Sequence, residues 1–479
     1  MRYVGFSEDF HDSALSIIDK GVVTYASHSE RYSKKKNDKK IHEDLWKEVR
    51  EDDSLSFYEG DKISPSGFIH RRNTSHHGKA LQPINYHNHH KSHCAMAFYT
   101  RPWESTKDTV MVSIDGVGEG QCATIYNHKF ELLHKWDNPK SVGLVYTTAT
   151  DLLGLRPLED EYVVMGLSSY GTAPPDLVKY LIGWWDSIRD FPEFGKNTDR
   201  EVMRRMDCRT DMRNELKKFL AVNSREDFAA GIQEFAKYGI MTVMALARQW
   251  GSKVVYGGGC AQNVVINTLI HKMFDDVHIA ISPTDAGSSL GCAALQWAKE
   301  TGGDRLVWSP YCGYNIIREV NPRLVVDHLL DAKVCGLANG KAEFGPRALG
   351  NRSLIADVRY DVKDTVNDIK RRQKYRPFAP AILEEYADEY FSGPMNEYMQ
   401  YTSIAKHDYD SVTHVDGTAR VQIVKKDCKS VFRKVIEEYY ERTGVPMLLN
   451  TSLNIRGRPM VNDEHDAHLW EQKYGVKVF

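Results

Sequence analysis

The amino-acid sequence predicts an α/β protein of two domains, and three observations carry that prediction. Two segments, one at the N-terminus and one that starts near residue 109, read as strand, tight turn and strand. The stretch from about residue 176 to 250 has helical periodicity. A mixed α/β segment follows a surface connection near residues 300–330. With 479 residues, the chain is long enough for two or three domains with apolar cores.

The two strand-rich segments share a pattern. The first runs RYVGF, SEDFHDS and ALSIID as strand, polar turn and strand, and VVTYASHS adds a third strand. The second runs TVMVSID, GVGEG and QCATIYN. Each unit places an acidic residue, Asp12 or Asp115, in the predicted turn. A duplicated unit of this kind is typical of actin-like ATPase folds, whereas two unrelated hairpins explain the pattern about equally well.

Composition limits the classes of protein that fit. Hydrophobic residues make up 42% of the chain and charged residues 27%, which indicates a folded globular protein. The net charge of −2 argues against a protein that coats nucleic acid or an anionic membrane as a whole. No stretch approaches the roughly 20 apolar residues of a membrane helix, and the eight cysteines form no CxxC pair. We therefore predict a soluble cytoplasmic protein with no membrane partner, and we leave nucleic-acid binding and homodimer formation open.

A histidine-rich segment, HNHHKSHCAMAFY, is the first candidate site. On a helix, His89 and His93 would lie on one face with their Cβ atoms roughly 6 Å apart, which suits two imidazole ligands of one metal ion. His87 and His90 allow other pairings, and a helix start with solvated histidines is an equal alternative.

Two aspartates favour the metal interpretation. Asp115 and Asp285 each follow an apolar strand and lie next to glycine or one residue from it, where a carboxylate can enter a shared cleft. Two imidazoles and two carboxylates form a mixed nitrogen and oxygen set that fits iron, manganese or zinc.

Three further segments suggest phosphate binding, and two more add single residues. The turn GGGCAQN, residues 257–263, follows a strand and precedes a helix, although an ordinary tight turn explains it better when it is taken alone. Farther on, EFGPRALGNRS and KRRQKYRPFAP concentrate cations among glycines, prolines and apolar residues: Arg347, Arg352, Lys370, Arg372 and Arg376. Fixed cations in such surroundings suit a phosphate or polyphosphate. The segments HVDGTARVQ and LLNTSLN add Arg420 and Ser452.

Taken together, these segments resemble a known family. The chain is similar to the O-carbamoyltransferases that modify nodulation factors and antibiotics, and the resemblance runs in the same order over nearly the whole sequence. It rests on FHDSALSIIDKG, SERYSKKKND, HHKSHCAMAFY, SIDGVGEG, MGLSSYG, GGGCAQN, SPTDAGSSLGCA, FGPRALGNRS, YRPFAP, HVDGTARVQ and VPMLLNTSLN. One departure is Val163, which stands where the family usually has lysine.

The resemblance implies a fold, a division of the chain and site residues. It implies an actin-like domain with duplicated ribonuclease H-like units over residues 1–320 and a smaller α+β, YrdC-like domain over 321–479. In the first domain it implies metal binding by His89, His93, Asp115 and Asp285, nucleotide binding by Gly258, Gly259 and Asn263, and a transfer site with His11 and Lys36. In the second domain it implies that carbamoyl phosphate and ATP are bound by Arg347, Lys370, Arg376, Arg420 and Ser452.

The implied activity is that of a carbamoyltransferase. Carbamoyl phosphate and ATP would form carbamoyl-adenylate and pyrophosphate, and the carbamoyl group would then pass to a hydroxyl of a small molecule. The expected cofactors are Fe²⁺ or another divalent transition metal, and Mg²⁺ with ATP. A hydroxylated nucleobase or nucleotide is the alternative acceptor.

Three other kinds of protein compete with this interpretation. An actin-fold sugar kinase or ATPase explains the glycine turn but not the basic segments. A metallopeptidase explains the histidine spacing, but position 90 holds histidine where a zinc protease carries glutamate. A regulatory nucleotide-binding protein is the third.

Overall fold

The computed structural model describes residues 1–59, 75–76, 79–80, 84–188 and 210–479. Chain contacts divide the protein into two compact units. The first unit comprises Met1–Ser7, Leu15–Val22 and Lys47–Val307, and the second comprises Glu8–Ala14, Val23–Trp46 and Trp308–Phe479. The predicted boundary at residue 320 stays a prediction. What the sequence did not indicate is that two N-terminal segments group with the C-terminal part of the chain.

The first sheet has the strand order β3-β2-β1-β4-β7. Its strands are β1 (Arg2–Ser7), β2 (Ala14–Asp19), β3 (Val22–His28), β4 (Ser54–Phe57) and β7 (Ile84–Tyr86). β1 pairs with β4 in parallel, and β4 pairs with β7 in parallel. Two short strands, β5 (Ser75–His76) and β6 (Lys79–Ala80), form a separate antiparallel pair.

The second sheet repeats this order as β10-β9-β8-β11-β12. Its strands are β8 (Thr109–Gly118), β9 (Gln121–Asn127), β10 (Leu132–Asp137), β11 (Lys253–Gly257) and β12 (Asp276–Ile279). Two antiparallel pairings join β8, β9 and β10, and two parallel pairings join β8, β11 and β12. The same order in both sheets confirms the predicted actin-like duplication.

One detail of the predicted duplication is wrong. Asp12 lies between β1 and β2 with a left-handed φ of 52°. Asp115 instead lies inside β8, and the chain reverses at Glu119 and Gly120, which both have positive φ. The strand therefore continues through residues that the glycine-rich sequence GVGEG placed in a turn.

The helices come in chain order between these strands. Two short ones follow the N-terminal strands, α1 (Glu30–Ser33) and α2 (Glu43–Trp46). The first unit then contains α3 (His89–Tyr99), α4 (Val142–Leu152), α5 (Glu161–Leu167), α6 (Pro175–Ser187), α7 (Thr210–Val222), α8 (Arg225–Ala247), α9 (Val264–Ile270) and α10 (Asp285–Thr301). The helical prediction for residues 176–250 is confirmed by α6, α7 and α8, and its part over 189–209 lies outside the described residues. Val163, the departure from the family pattern, is buried on α5.

Two glycines bring α3 and α10 into close contact. A Cβ atom at Gly291 would lie 1.8 Å from the backbone oxygen of Ser92, and one at Gly287 would lie 2.5 Å from the sulfur of Met96. Gly5 of β1 approaches α10 in the same way, because a Cβ atom there would lie 1.8 Å from the backbone oxygen of Ser289. This packing sets the N-terminal ends of the two helices beside each other.

The second unit is built around a mixed sheet with the order β14-β16-β22-β17-β21. Its strands and the smaller ones of the unit are β13 (Tyr311–Ile316), β14 (Val334–Ala338), β15 (Gly340–Glu343), β16 (Arg352–Ala356), β17 (Ala379–Leu383), β18 (Phe391–Ser392), β19 (Ser403–Ala405), β20 (Thr418–Ala419), β21 (Gln422–Val424) and β22 (Met447–Ser452). Its helices are α11 (Pro322–Ala332), α12 (Lys363–Lys370), α13 (Ala387–Tyr390), α14 (Val431–Thr443) and α15 (Glu464–Tyr474).

Alternating residues of this sheet belong to two separate hydrophobic clusters. On β16, Leu354 and Ala356 enter one cluster, and Ile355 enters the other. On β22, Met447 and Leu449 enter the first cluster, and Leu448 enters the second. Both faces of the sheet are therefore covered. The likeness of this unit to YrdC stays a prediction.

Across the described residues, no helix is both long enough and apolar enough to cross a lipid bilayer.

Candidate active site

Two histidines on the first turns of α3 point at one position. Asn88 caps this helix, since its side chain accepts a hydrogen bond from the backbone N–H of Lys91. Both histidines are buried, and the Nε2 atoms of His89 and His93 lie 3.1 Å apart. The i, i+4 spacing therefore places two imidazole nitrogens where one ion can contact both.

Two carboxylates complete this group. Asp115, in β8, brings Oδ2 to 3.1 Å from His89 Nε2, and Asp285, the first residue of α10, brings Oδ1 to 3.3 Å from His93 Nε2. One ligand atom from each of the four residues lies within 4.8 Å of the other three. The structure thus brings the four predicted metal ligands together, and metal binding itself stays a prediction.

Each of the four side chains has an outer partner. Ser288 Oγ lies 3.1 Å from His93 Nδ1, and Glu59 Oε1 lies 3.4 Å from His89 Nδ1. The Gly259 N–H donates to Asp115 Oδ1 at 3.0 Å, and the Tyr58 hydroxyl donates to Asp285 Oδ2 at 3.4 Å. Such outer contacts hold metal ligands in orientation. Glu59 was not predicted, and nothing in its local sequence indicates it.

The charges of the group favour a cation between the carboxylates. Burial opposes protonation of His89, but its hydrogen bonds with Asp115 and Glu59 outweigh burial and raise its pKa well above the usual value. Burial acts in the opposite direction on Asp115, and the hydrogen bonds with both histidines hold its pKa well below the usual value. One buried carboxylate, that of Asp285, and one half-buried carboxylate, that of Asp115, therefore attract positive charge to this point.

His90 has a structural role, which removes one of the alternative pairings. Its Nδ1 lies 2.9 Å from Ser113 Oγ and its Nε2 lies 3.0 Å from the backbone oxygen of Gln121. Burial lowers its pKa to about 3. His87 is also held neutral, since burial and two nearby lysines lower its pKa to about 4.

The glycine turn after β11 lies against β8. Gly258 has a φ of 88°, and a Cβ atom there would lie 2.3 Å from the backbone oxygen of Ile114. A Cβ atom at Gly259 would lie 2.9 Å from Asp115 Oδ1. The side chain of Asn263 caps α9 and exchanges hydrogen bonds with Gln233. The close approach of this turn to Ile114 and Asp115 explains why glycine stands at positions 258 and 259. Nucleotide binding by this turn stays a prediction.

In the second unit, Lys370 and Ser452 meet at the ends of α12 and β22. Lys370 is 4% exposed, and its Nζ donates to the backbone oxygen of Ser452, to Ser452 Oγ at 3.3 Å and to Asn454 Oδ1 at 2.9 Å. It forms no ion pair with a carboxylate among the residues described. Burial, together with the charges of Arg372 and Arg376, lowers its pKa well below the usual value.

Not every cation of the basic segments is available for a phosphate. Arg352 is fully buried and donates to five backbone oxygens, those of Tyr314, Asn339, Gly340, Asn351 and Asn462. Arg372 donates to Asn367 Oδ1 and to the backbone oxygen of Pro377, and its guanidinium lies 4.0 Å from the centre of the Phe378 ring. The expectation that Arg352 binds phosphate is wrong, because its guanidinium is fully buried and donates to backbone oxygens. Phosphate binding by Arg372, which is half-buried, stays a prediction. Arg347, Arg376 and Arg420 are partly exposed.

His11 and Lys36, the two candidates for the transfer site, belong to the second unit. His11 Nδ1 lies 3.7 Å from Asp12 Oδ2. Lys36 Nζ pairs with Glu30 Oε1 at 2.8 Å, and this carboxylate also accepts from the backbone N–H of Asn37. Burial opposes protonation of Lys36, but Glu30 and Asp12 raise its pKa, so Lys36 is a charged group rather than a base.

Comparison with known proteins gives the family. Residues 66–294 match the family described as carbamoyltransferase N-terminus, and residues 326–479 match that described as carbamoyltransferase C-terminus. The nodulation protein NolO of Bradyrhizobium diazoefficiens is 31% identical over 79% of this chain and 75% of its own length. The nodulation protein NolNO of Sinorhizobium fredii is 31% identical over 80% of this chain and 61% of its own length.

Similarity extends to other proteins as well. An uncharacterised protein of Methanocaldococcus jannaschii is 28% identical over 96% of this chain and 94% of its own length. Among solved structures, HypF of T. kodakarensis is 13% identical with a TM-score of 0.33, and it covers 63% of this chain and 48% of its own. The two family matches and the NolO relationship are sufficient: this chain belongs to the carbamoyltransferase family and is a carbamoyltransferase enzyme.

Proposed function

We propose that this carbamoyltransferase activates carbamoyl phosphate with ATP and transfers the carbamoyl group to a hydroxyl of a small molecule. The observation that carries the proposal is the surroundings of Lys370. Within the described residues, a protonated Lys370 has only neutral oxygen acceptors, and burial and the charges of Arg372 and Arg376 lower its pKa. A phosphate beside it would offset that repulsion and favour the protonated lysine.

The activation step balances as follows. Water attacks the phosphorus of carbamoyl phosphate, and the bond between that phosphorus and the carbamoyl oxygen breaks. The products of this hydrolysis are phosphate and carbamate. A carbamate oxygen then attacks the α-phosphorus of ATP, the bond to the β-phosphate breaks, and pyrophosphate leaves with carbamoyl-adenylate as the other product. Lys370, Arg347 and Arg376 are the residues we assign to the phosphoryl oxygens, and Mg²⁺ accompanies the ATP. Fixed cations of this kind stabilise the charge that moves during phosphoryl transfer.

The transfer step needs an acceptor for the hydroxyl proton. We assign this role to His11, whose side chain is 18% exposed and lies beside the Asp12 carboxylate. The acceptor oxygen bonds to the carbamoyl carbon, its proton moves to His11, and AMP leaves as the bond to the adenylate oxygen breaks.

The histidine and aspartate group of the first unit fits a divalent transition metal. Two imidazole nitrogens and two carboxylate oxygens lie close together, and each side chain has an outer partner that orients it. His89, His93, Asp115 and Asp285 would hold the ion, with Fe²⁺ as the first candidate. A bound ion of this class supplies Lewis-acid polarisation of a carbonyl or phosphoryl oxygen.

The acceptor test uses intact protein, ATP, carbamoyl phosphate and a panel of hydroxyl compounds. Mass spectrometry is expected to find a carbamoyl adduct that requires both ATP and carbamoyl phosphate. An adduct that forms equally well without ATP would contradict the activation step.

Metal binding is tested by elemental analysis of protein that is purified without chelator. We expect one transition-metal ion per chain in the wild type and less than about a tenth of that in a His89→Ala/His93→Ala variant, because both imidazole ligands are removed. A His465→Ala/His468→Ala variant is the matched control, since it removes two exposed histidines of α15. Equal metal content in all three proteins would rule out this site.

Glu59 gives a milder test of the same group. Glu59→Gln is expected to weaken metal affinity by roughly 10- to 100-fold, because the charged acceptor beside His89 Nδ1 is lost. Competition with a chromogenic chelator measures the affinity. Glu104→Gln serves as the control because the Glu104 side chain is 87% exposed. An unchanged affinity in Glu59→Gln would show that this carboxylate does not support the ligand.

A further inference from the structure

The loop between β15 and β16, residues 344–351, carries Arg347 and is held by one buried carboxylate. Glu343 is 2% exposed, and its Oε1 accepts from the backbone N–H of Leu349 at 2.7 Å, Asn351 at 2.8 Å and Arg352 at 3.2 Å. Three donors on a single oxygen fix the second half of the loop.

His28, from the N-terminal part of the second unit, holds the first half of this loop. It is 7% exposed, and burial together with the charge of Arg31 lowers its pKa to about 4. The neutral ring accepts the backbone N–H of Gly345 at Nε2, at 3.2 Å, and its centroid lies 5.1 Å from that of the Phe344 ring. Gly345 has a φ of 133°, so this peptide has a conformation that favours glycine.

Arg31 approaches the same loop from the same segment. It is 2% exposed, and its Nη2 lies 3.4 Å from the backbone oxygen of Glu343. No carboxylate within the described part of the chain lies close enough to form an ion pair with it. Burial lowers the pKa of the Arg31 guanidinium. Among the nearby charges, the Glu343 carboxylate opposes this shift most strongly. Arg31 therefore offsets the charge of the carboxylate that holds the loop.

We propose that His28 and Arg31 are positioning residues for the activation of carbamoyl phosphate, acting through Gly345 and Glu343 on the loop that carries Arg347. The inference rests on the proposed function. It differs from what the family resemblance implies for this part of the chain, which is a transfer site with His11 and Lys36. We assign the nearby residues His28 and Arg31 to the activation step, because they support the loop of residues 344–351.

The expected effect is on substrate binding. A displaced Arg347 would contact the phosphoryl group less well in the ground state and in the transition state alike, so KM for carbamoyl phosphate rises while kcat changes little. Loss of one hydrogen bond to a buried N–H corresponds to a change of about 10-fold.

The test measures steady-state pyrophosphate release in the full-length protein with His28→Leu, His28→Gln, Arg31→Gln and Arg31→Lys. We expect KM for carbamoyl phosphate to rise about 10-fold in His28→Leu and in Arg31→Gln. Partial recovery is expected in His28→Gln, whose amide oxygen can accept from Gly345, and in Arg31→Lys, which keeps the charge. His42→Leu is the control, because His42 belongs to the same N-terminal segment and lies beside Asp44.

Amide hydrogen exchange over residues 344–352 accompanies the kinetics. Faster exchange there in His28→Leu, with an unchanged thermal midpoint, is expected if the loop loses its anchor. Wild-type KM in His28→Leu and Arg31→Gln would overturn this inference alone. A wild-type protein that releases no pyrophosphate from ATP and carbamoyl phosphate would overturn the proposed function, and the inference with it.

Discussion

Lys370→Ala is expected to lower carbamoyl-phosphate-dependent pyrophosphate release by at least about 100-fold, as removal of a preorganised charge at a reacting group typically does. Lys370 lies within hydrogen-bond distance of Ser452 and Asn454, which the fold brings to the end of β22. No other lysine in the described part of the second unit is as deeply buried.

Two further variants separate loss of charge from loss of packing. Lys370→Met keeps most of the side-chain volume and removes the ammonium, and it is expected to be as inactive as Lys370→Ala. Lys374→Ala removes an exposed lysine that pairs with Asp364 at 3.3 Å, and it is expected to keep wild-type activity. Near-normal pyrophosphate release in a folded Lys370→Met protein would place the activation site elsewhere.

His11→Ala is expected to stop transfer while activation continues. Pyrophosphate release should stay within a few-fold of wild type, and acceptor carbamoylation should fall by roughly 100- to 10,000-fold, as is typical when a general base is removed. Both products are followed in the same reaction mixture. His11 belongs to the second unit, where we also place activation. The thermal midpoint of the His11→Ala protein is therefore measured to show that this unit is still folded.

A composite site gives the opposite result. If His11→Ala loses both half-reactions to the same extent with an unchanged thermal midpoint, activation and transfer are not separable in this protein. A His42→Ala protein, altered at a histidine of the same segment, is the matched control and should retain both activities.

The sequence could bring His89 and His93 together because their spacing on one helix is local. His89 and His93 are four residues apart on one helix, and Asp115 and Asp285 belong to elements that are recognisable from hydrophobic patterns. Glu59 could not be found in this way, because its role depends on where a loop meets α3. The same applies to Tyr58, whose hydroxyl reaches a residue 227 positions away.

In the basic segments, the sequence alone does not distinguish structural arginines from candidate phosphate ligands. Arg352 and Arg347 look alike in sequence, since both stand next to small or polar residues in one glycine-rich stretch. Only the tertiary structure gives Arg352 its five backbone acceptors, which come from residues between 314 and 462. A guanidinium that donates to backbone oxygens and one that we propose to bind phosphate have the same local pattern.

The grouping of His11 and Lys36 with the C-terminal part of the chain was also beyond sequence reasoning. Strand and turn patterns place both residues in the first repeat, which is where chain order puts them. Hydrogen bonds over more than 300 residues, such as that between His28 and Gly345, decide the grouping instead. Glu343 is the first residue of the segment EFGPRALGNRS, and an acidic residue just before a glycine-rich loop is the sequence signal for its role.

The most direct test of the central claim is the product of ATP in the presence of carbamoyl phosphate. Purified protein is incubated with ATP labelled at the α-phosphate, with and without carbamoyl phosphate and a hydroxyl acceptor, and nucleotide and pyrophosphate are quantified together. Activation through an adenylate predicts AMP and pyrophosphate in equal amounts, formed only when carbamoyl phosphate is present. Formation of ADP and phosphate, at a rate that carbamoyl phosphate does not change, would contradict the account and favour a kinase or ATPase.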